Sequence, residues 1–226
     1  MPTYNEAEGI AEITKALLKL CPEADILIVD DNSPDGTGRI IDGMSLENGR
    51  IKCLHRDIKN GIGPAYIEGF KWALSHGYKY ILQMDSDFSH DPKYVPELFN
   101  LINDYDLVLG SRYVRGGKTE NWGLVRKLIS RLGSLYAQAL LSLPLKDMTG
   151  GFKCWRTETL EKINLDTIST RGYAFQIETT YRAFKNGSRI LEFPIVFRDR
   201  RIGKTKMSKA IFIEAIFAVI KMKLKK

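Results

Sequence analysis

Ile81-Leu82-Gln83-Met84-Asp85-Ser86-Asp87 is the stretch whose reading decides the fold. An apolar run leads straight into two carboxylates spaced i, i+2, and Phe88-Ser89-His90-Asp91-Pro92 then breaks into a loop. Such a pattern reads as a buried strand delivering acids at its carboxyl end, where open α/β sheets gather their ligand chemistry. Two carboxylates this close repel one another unless a cation sits beside them. Mg²⁺ and Mn²⁺ are hard ions that prefer oxygen ligands, typically one or two carboxylates together with substrate phosphates. Asp85 and Asp87 are therefore candidate metal ligands.

A second acidic pair, Asp30-Asp31, ends the run Ile26-Leu27-Ile28-Val29 and precedes Asn32-Ser33-Pro34-Asp35-Gly36. Asp35-Gly36 is turn chemistry, whereas Asp31 is placed to accept hydrogen bonds from a ribose or a base edge. Outward from these two acid-tipped runs, apolar segments alternate with helical patterns. Strands are expected over 25–29, 51–54, 78–84, 106–109, 151–155 and 189–197. Helices are expected over 6–20, 37–44, 64–75, 93–103, 124–142, 173–185 and 209–223. The alternation predicts an α/β fold with a mostly parallel sheet covered by helices on both faces. A chain of 226 residues, 44% hydrophobic, suffices for one such core. We expect one catalytic domain over 1–206 and a basic amphipathic helix over 207–226.

The net charge of +7 is not spread evenly. From Arg200 onward there are nine Lys or Arg residues against one acid, Glu214, so residues 1–199 carry a net −1. A terminal cluster of this kind, beside the apolar run 211–220, suits an anionic membrane surface rather than nucleic acid. Ten residues cannot cross a bilayer, and no apolar run of about 20 residues exists. Cys21, Cys53 and Cys154 show no metal-type spacing, and His55, His76 and His90 form no evident pair with a cysteine. Neither a disulfide framework nor a zinc site is indicated, which fits a reducing cytoplasmic setting.

Further motifs follow in order: Pro2-Thr3-Tyr4-Asn5-Glu6, Gly110-Ser111-Arg112-Tyr113 and Arg126-Lys127-Leu128-Ile129-Ser130. Then come Asp147-Met148-Thr149-Gly150-Gly151-Phe152 and Arg200-Arg201-Ile202-Gly203-Lys204-Thr205-Lys206. Together with the two acidic motifs they span nearly the whole chain. The set resembles the polyprenol (dolichol) phosphate mannose synthases, within the family 2 inverting glycosyltransferases of GT-A fold. The resemblance implies a Rossmann-like nucleotide-sugar-binding domain and mannosyl transfer from GDP-mannose to a polyprenyl or dolichyl phosphate, with inversion and with Mg²⁺ or Mn²⁺.

Carried over by position, it implies that Pro2, Tyr4, Glu6, Val29 and Asp31 hold the guanosine and its ribose. Asp85, Ser86 and Asp87 would contact donor and metal, with Ser89 standing where some relatives place a longer amide ligand. Arg112, Arg126 and Ser130 would face the acceptor phosphate, and Arg200 with Lys206 the donor. Asp87, Arg112 and Arg126 are the residues expected to matter most for catalysis. A phosphate monoester, with a second pKa of about 6, is largely ionised at neutral pH and needs no base. Asp147 is accordingly read as structural, ordering the 148–151 loop.

A lipid acceptor implies peripheral work at the cytoplasmic face of a membrane, with room for an anchoring subunit of the kind relatives use. The family pattern also places an apolar strand before Pro2, where only Met1 stands; the expectation is a start further upstream, the alternative being a fold that fills the resulting gap in another way. Glucosyl or other hexosyl transfer from a UDP- or GDP-sugar to the same lipid is the nearest alternative. A nucleotidyltransferase would need a Gly-rich phosphate loop near its start, which 2–9 is not. A non-catalytic membrane adaptor would need neither the paired acids nor the ordered cations.

Overall fold

The computed structural model describes residues 1–199 and 209–224, with side chains beyond 199 described from Glu214. Arg200 and Lys206 lie outside the described residues. Two hydrogen-bonded sheets form the centre. The first has the order β1 (Pro2–Thr3), β2 (Ile26–Asp30), β3 (Ile51–His55), all parallel. The second has the order β4 (Tyr80–Gln83), β7 (Lys153–Arg156), β5 (Leu107–Ser111), β8 (Ile190–Pro194). Within it β7 runs antiparallel to both neighbours, while β5 and β8 are parallel. A small ribbon pairs β6 (Lys118–Glu120) with β9 (Val196–Arg198).

The helices are α1 (Ile10–Leu20), α2 (Thr37–Glu47), α3 (Ile62–Ser75), α4 (Val95–Leu101), α5 (Leu124–Leu141), α6 (Thr157–Lys162), α7 (Tyr173–Lys185) and α8 (Lys209–Leu224). Every expected strand and helix is present, with shifted ends, and three differences have physical causes. The run 189–197 is two strands, because Pro194 cannot donate to a ladder and the chain changes partner there, from β5 to β6. The 93–103 helix opens as a 3₁₀ turn, Pro92–Tyr94, capped by Asp91. The two-residue β1 carries too little sequence to be seen as a strand.

The expected gap also has a shape. β1 pairs with β2 through Pro2↔Val29 and Thr3↔Asp30 only, and β2 has no ladder to β4. The Met1 amine is buried and donates to Leu27 O at 2.7 Å. Burial lowers its pKa to about 5, against the pull of Asp85. Helix α3 closes the seam by packing on β1, β2 and β4 together; Gly69 meets Val29, where an added Cβ would lie 3.2 Å from Val29 Cγ2.

Two apolar clusters result. One joins α1, α2 and α4 to the sheets through Ile10, Ile28, Leu98 and Phe152; the other joins α3, α5, α7 and α8 through Phe70, Trp155, Phe175 and Val219. The expectation of a terminal appendage changes accordingly. Helix α8 docks by Val219 (1% exposed) and Met222 (9%) against α5 and α7, and Glu214 accepts from Arg171 N at 3.1 Å.

The cysteine reading also needs correction. Cys53 and His55 are two apart on β3, and alternate strand residues share a face. They therefore meet Asp42 of α2, with His55 Nε2 to Asp42 Oδ1 at 2.9 Å and Cys53 Sγ to His55 Nδ1 at 4.0 Å.

Candidate active site

β4 ends where its backbone partner changes. The Asp85 N–H donates not to a strand but to His90 Nδ1, at 2.9 Å. A backbone N–H can only donate, so this nitrogen accepts and the neutral ring carries its proton on Nε2. Burial holds the His90 pKa below its usual value, although Asp85 and Asp87 pull the other way. Phe88 sits at the loop tip with φ +60°, a left-handed conformation that costs on the order of 1 kcal/mol for a bulky residue. That turn brings Ser89 N back to Asp87 Oδ1 at 3.0 Å. Tyr66, buried on α3, donates its hydroxyl to Asp85 Oδ1 at 3.1 Å. The Asp85 side chain keeps 32% exposure.

The Ser89 hydroxyl is buried with no hydrogen-bond partner among the described residues. An oxygen with unused capacity, beside two carboxylates on one loop, is a donor set that fits a hard divalent ion. Ser86 differs from expectation: it is 4% exposed and its hydroxyl points to Pro2 O at 3.4 Å, tying the loop to β1.

At the end of β2, Asp30 binds the turn. It accepts from Thr3 Oγ1 (3.0 Å), Ser33 Oγ (2.5 Å) and Ser33 N (3.0 Å). Asp35 accepts from Ala7 N at 3.0 Å and Thr37 N at 3.0 Å, and Glu6 N donates to Thr37 Oγ1 at 3.0 Å. The segment through Pro2, Tyr4 and Glu6 is thereby laid across the end of β2 beside Asp31. Lys59 Nζ stands 3.5 Å over the Tyr4 ring. The Asp31 carboxylate is bonded by buried Arg56, which also holds Glu68 (2.9 Å) and Asn60 (2.5 Å). Burial raises the Asp31 pKa despite Arg56. Val29 is 2% exposed, and its N–H is given to Met1 O.

The acceptor-side residues converge as well. Arg112 and Arg126 lie over one indole, with guanidinium carbons 5.5 Å and 4.2 Å from the Trp122 ring centre. Ser130 accepts from Tyr113 OH at 2.7 Å. Arg112 is 7% exposed and clamped by Asp147, through Nε at 2.7 Å and Nη2 at 2.6 Å; Thr149 takes Nη2 at 2.8 Å. Its charge is thus held beneath the acceptor region with most of its donors committed. Arg126 is half-buried and donates to Asp199 at 2.6 Å.

Rings connect the two halves of the site. His90 stacks on Phe152 at 4.9 Å and meets the edge of Phe197 at 5.3 Å. Phe197 in turn lies 5.4 Å from the Arg112 guanidinium and 5.3 Å from Trp122. A continuous run of ring contacts thus leads from the loop that carries the acids at 85 and 87 to the arginines at 112 and 126. Sequence reasoning missed Tyr66, His90, Arg56, Trp122 and Asp199; only Arg56, a cation at the end of β3 opposite Asp31, left a readable sign.

Comparison with known proteins agrees with this geometry. The chain is 46% identical over 219 residues to an undecaprenyl-phosphate mannosyltransferase of Micrococcus luteus, covering 97% of this chain and 90% of that protein. It is 42% identical over 221 residues to a polyprenol monophosphomannose synthase of Mycolicibacterium smegmatis, covering 97% and 83%. In fold it matches glucosyl-3-phosphoglycerate synthase of Mycobacterium tuberculosis, crystallised with Mn²⁺, UDP-glucose and phosphoglyceric acid. That likeness has a TM-score of 0.71 at 17% identity and covers 98% of this chain and 77% of the other. The family model for glycosyl transferase family 2 matches residues 1–164, and the chain belongs to that family, with a GT-A-type fold.

Proposed function

We propose that the chain transfers a mannosyl residue from GDP-mannose to a polyprenyl (dolichyl) phosphate, by single displacement with inversion. One observation carries the choice of acceptor. Asp147, the carboxylate beside Arg112, is 1% exposed and fully engaged by it, and Asp199, the carboxylate beside Arg126, is held by that arginine at 2.6 Å, so neither stands free to take a proton from an alcohol. An acceptor that arrives already ionised needs no base, only cations to offset its repulsion from an anionic donor. Arg126 and Ser130 bind that phosphate, and Arg112 supplies a fixed positive charge beneath it. The two relatives named for polyprenyl phosphate mannosylation support the same reading.

Asp31 orients the nucleoside, with Pro2, Tyr4 and Glu6 forming the edge of its site. Asp85, Asp87 and Ser89 hold Mg²⁺ or Mn²⁺. When bound there, the ion neutralises charge developing on the leaving diphosphate. Arg200 and Lys206 add positive charge on the donor side by virtue of their position in the sequence. We place the protein peripherally on the cytoplasmic face of a membrane, in keeping with its free cysteines and the absence of any helix long and apolar enough to cross a bilayer among the described residues. A separate anchoring subunit is compatible with this arrangement.

The test is to incubate the protein with undecaprenyl phosphate and Mg²⁺ or Mn²⁺, offering GDP-mannose and UDP-glucose in parallel. A β-linked mannosyl lipid formed from GDP-mannose alone is the expected product. Glucosyl lipid formed in preference would refute the sugar, and no lipid product with either donor would refute the acceptor.

A further inference from the structure

Asp42, Cys53 and His55 bring together three kinds of metal-binding side chain that the proposed transfer does not use. Cys53 and His55 share one face of β3, and α2 carries Asp42 to them. His55 Nε2 stands 2.9 Å from Asp42 Oδ1, and its Nδ1 stands 4.0 Å from Cys53 Sγ. One donor atom from each side chain lies within 4.8 Å of the other two. The His55 and Asp42 side chains are 53% and 50% exposed, and β3 is the last strand of its sheet, so an ion can reach them from solvent. Arg56, the next residue, belongs to the network around Asp31 instead.

Two further observations favour a bound cation over a plain surface ion pair. The charges that bear on the Cys53 thiol are those of the Asp42 and Asp30 carboxylates, both negative. Gly38 lies one turn before Asp42 on α2, and a Cβ there would stand 3.2 Å from His55 Nδ1 and 3.0 Å from Asp30 Oδ2. Glycine thus keeps that edge of the imidazole clear. A thiolate, an imidazole and a carboxylate together suit Zn²⁺ and chemically similar ions, whereas Mg²⁺ prefers oxygen alone. Bonds of about 2.0–2.3 Å to a tetrahedral ion set its donors about 3–4 Å apart, so side-chain rotation alone closes the set.

We propose that Asp42, Cys53 and His55 bind one Zn²⁺ or chemically similar ion, apart from the loop of Asp85 and Asp87, with water in the fourth position. Binding releases the thiol proton to solvent. The ion ties α2 to the end of β3, one residue from the arginine that holds Asp31.

Full-length protein is stripped with a chelator, dialysed into excess Mg²⁺ to fill oxygen-only sites, and titrated with Co²⁺. A thiolate-to-cobalt charge-transfer band in the near ultraviolet should saturate at about one ion per chain and be displaced by Zn²⁺. Cys53→Ser should abolish the band, and His55→Ala should weaken Zn²⁺ binding at least about tenfold. Cys21→Ser should change neither. Zn²⁺ should also raise the thermal midpoint of the wild type and leave that of Cys53→Ser where it was, circular dichroism having shown both folded. No band in the wild type overturns the proposal. So does a band that survives Cys53→Ser or is lost in Cys21→Ser, or a Zn²⁺ affinity equal in the His55→Ala variant and the wild type. Each readout is binding or stability, so the result stands whatever donor and acceptor the enzyme proves to use.

Discussion

Replacing Asp147 by leucine removes the counter-charge of a buried arginine and puts in its place a larger apolar side chain of the same branching. Asp147 accepts three hydrogen bonds from Arg112, at its backbone N (2.9 Å), Nε (2.7 Å) and Nη2 (2.6 Å). The two side chains are 6% and 0% exposed, so water cannot take over the lost contacts. Stranding one charge of such a pair costs about 3–5 kcal/mol. With a urea slope of about 2–3 kcal/mol per molar, the unfolding midpoint should fall by roughly 1–2.5 M. Combining it with Arg112→Met removes the stranded charge and leaves mainly the unpaired Arg112 N–H, worth about 1–3 kcal/mol. The double variant should therefore be more stable than Asp147→Leu alone. Circular dichroism across a urea series measures both. A single variant within 1 kcal/mol of wild type, or a double variant no better than the single, would refute the idea of a committed buried pair.

Three other outcomes follow from the site. Asp199→Asn removes the carboxylate that competes for Arg126, so the KM for a polyprenyl phosphate should fall about threefold while that for GDP-mannose holds; Arg126→Ala should raise the acceptor KM selectively, and equal effects on both substrates contradict the assignment. Tyr66→Phe deletes one hydrogen bond to Asp85, worth about 1 kcal/mol; the Mn²⁺ concentration for half activity should rise about fivefold, and an unchanged metal titration defeats that role. The raised Asp31 pKa means its carboxylate is protonated at a higher pH than an ordinary aspartate. GDP binding, followed by calorimetry, should weaken on acidification from above the usual carboxylate range, and Asp31→Asn should flatten that limb.

The acid-tipped runs were legible because an apolar run gives way to charge within one residue, at Val29 to Asp30 and at Met84 to Asp85. Helix periods located α1 to α5, α7 and α8 for the same reason: 3.6-residue patterns are local. Partnership is not. Arg112 and Asp147 are separated by 35 positions, and only the antiparallel insertion of β7 between β4 and β5 brings the 148–151 loop back beneath Arg112. Nothing in a linear reading distinguishes His90, whose nitrogen replaces a strand as the partner of Asp85, from any loop histidine. On α5, Leu124, Val125, Leu128, Leu132 and Leu135 share one helical face, which ordinarily reads as core, and only their exposure shows that none of the described residues covers it.

The seam between the two sheets has its own consequence. Asp31 follows one ladder system and Asp85 and Asp87 another, and a shared apolar core, the span of α3 and side-chain ties such as Ser86 to Pro2 join them. A ligand touching the ends of both β2 and β4 would bridge two ladders that share no interstrand bonds.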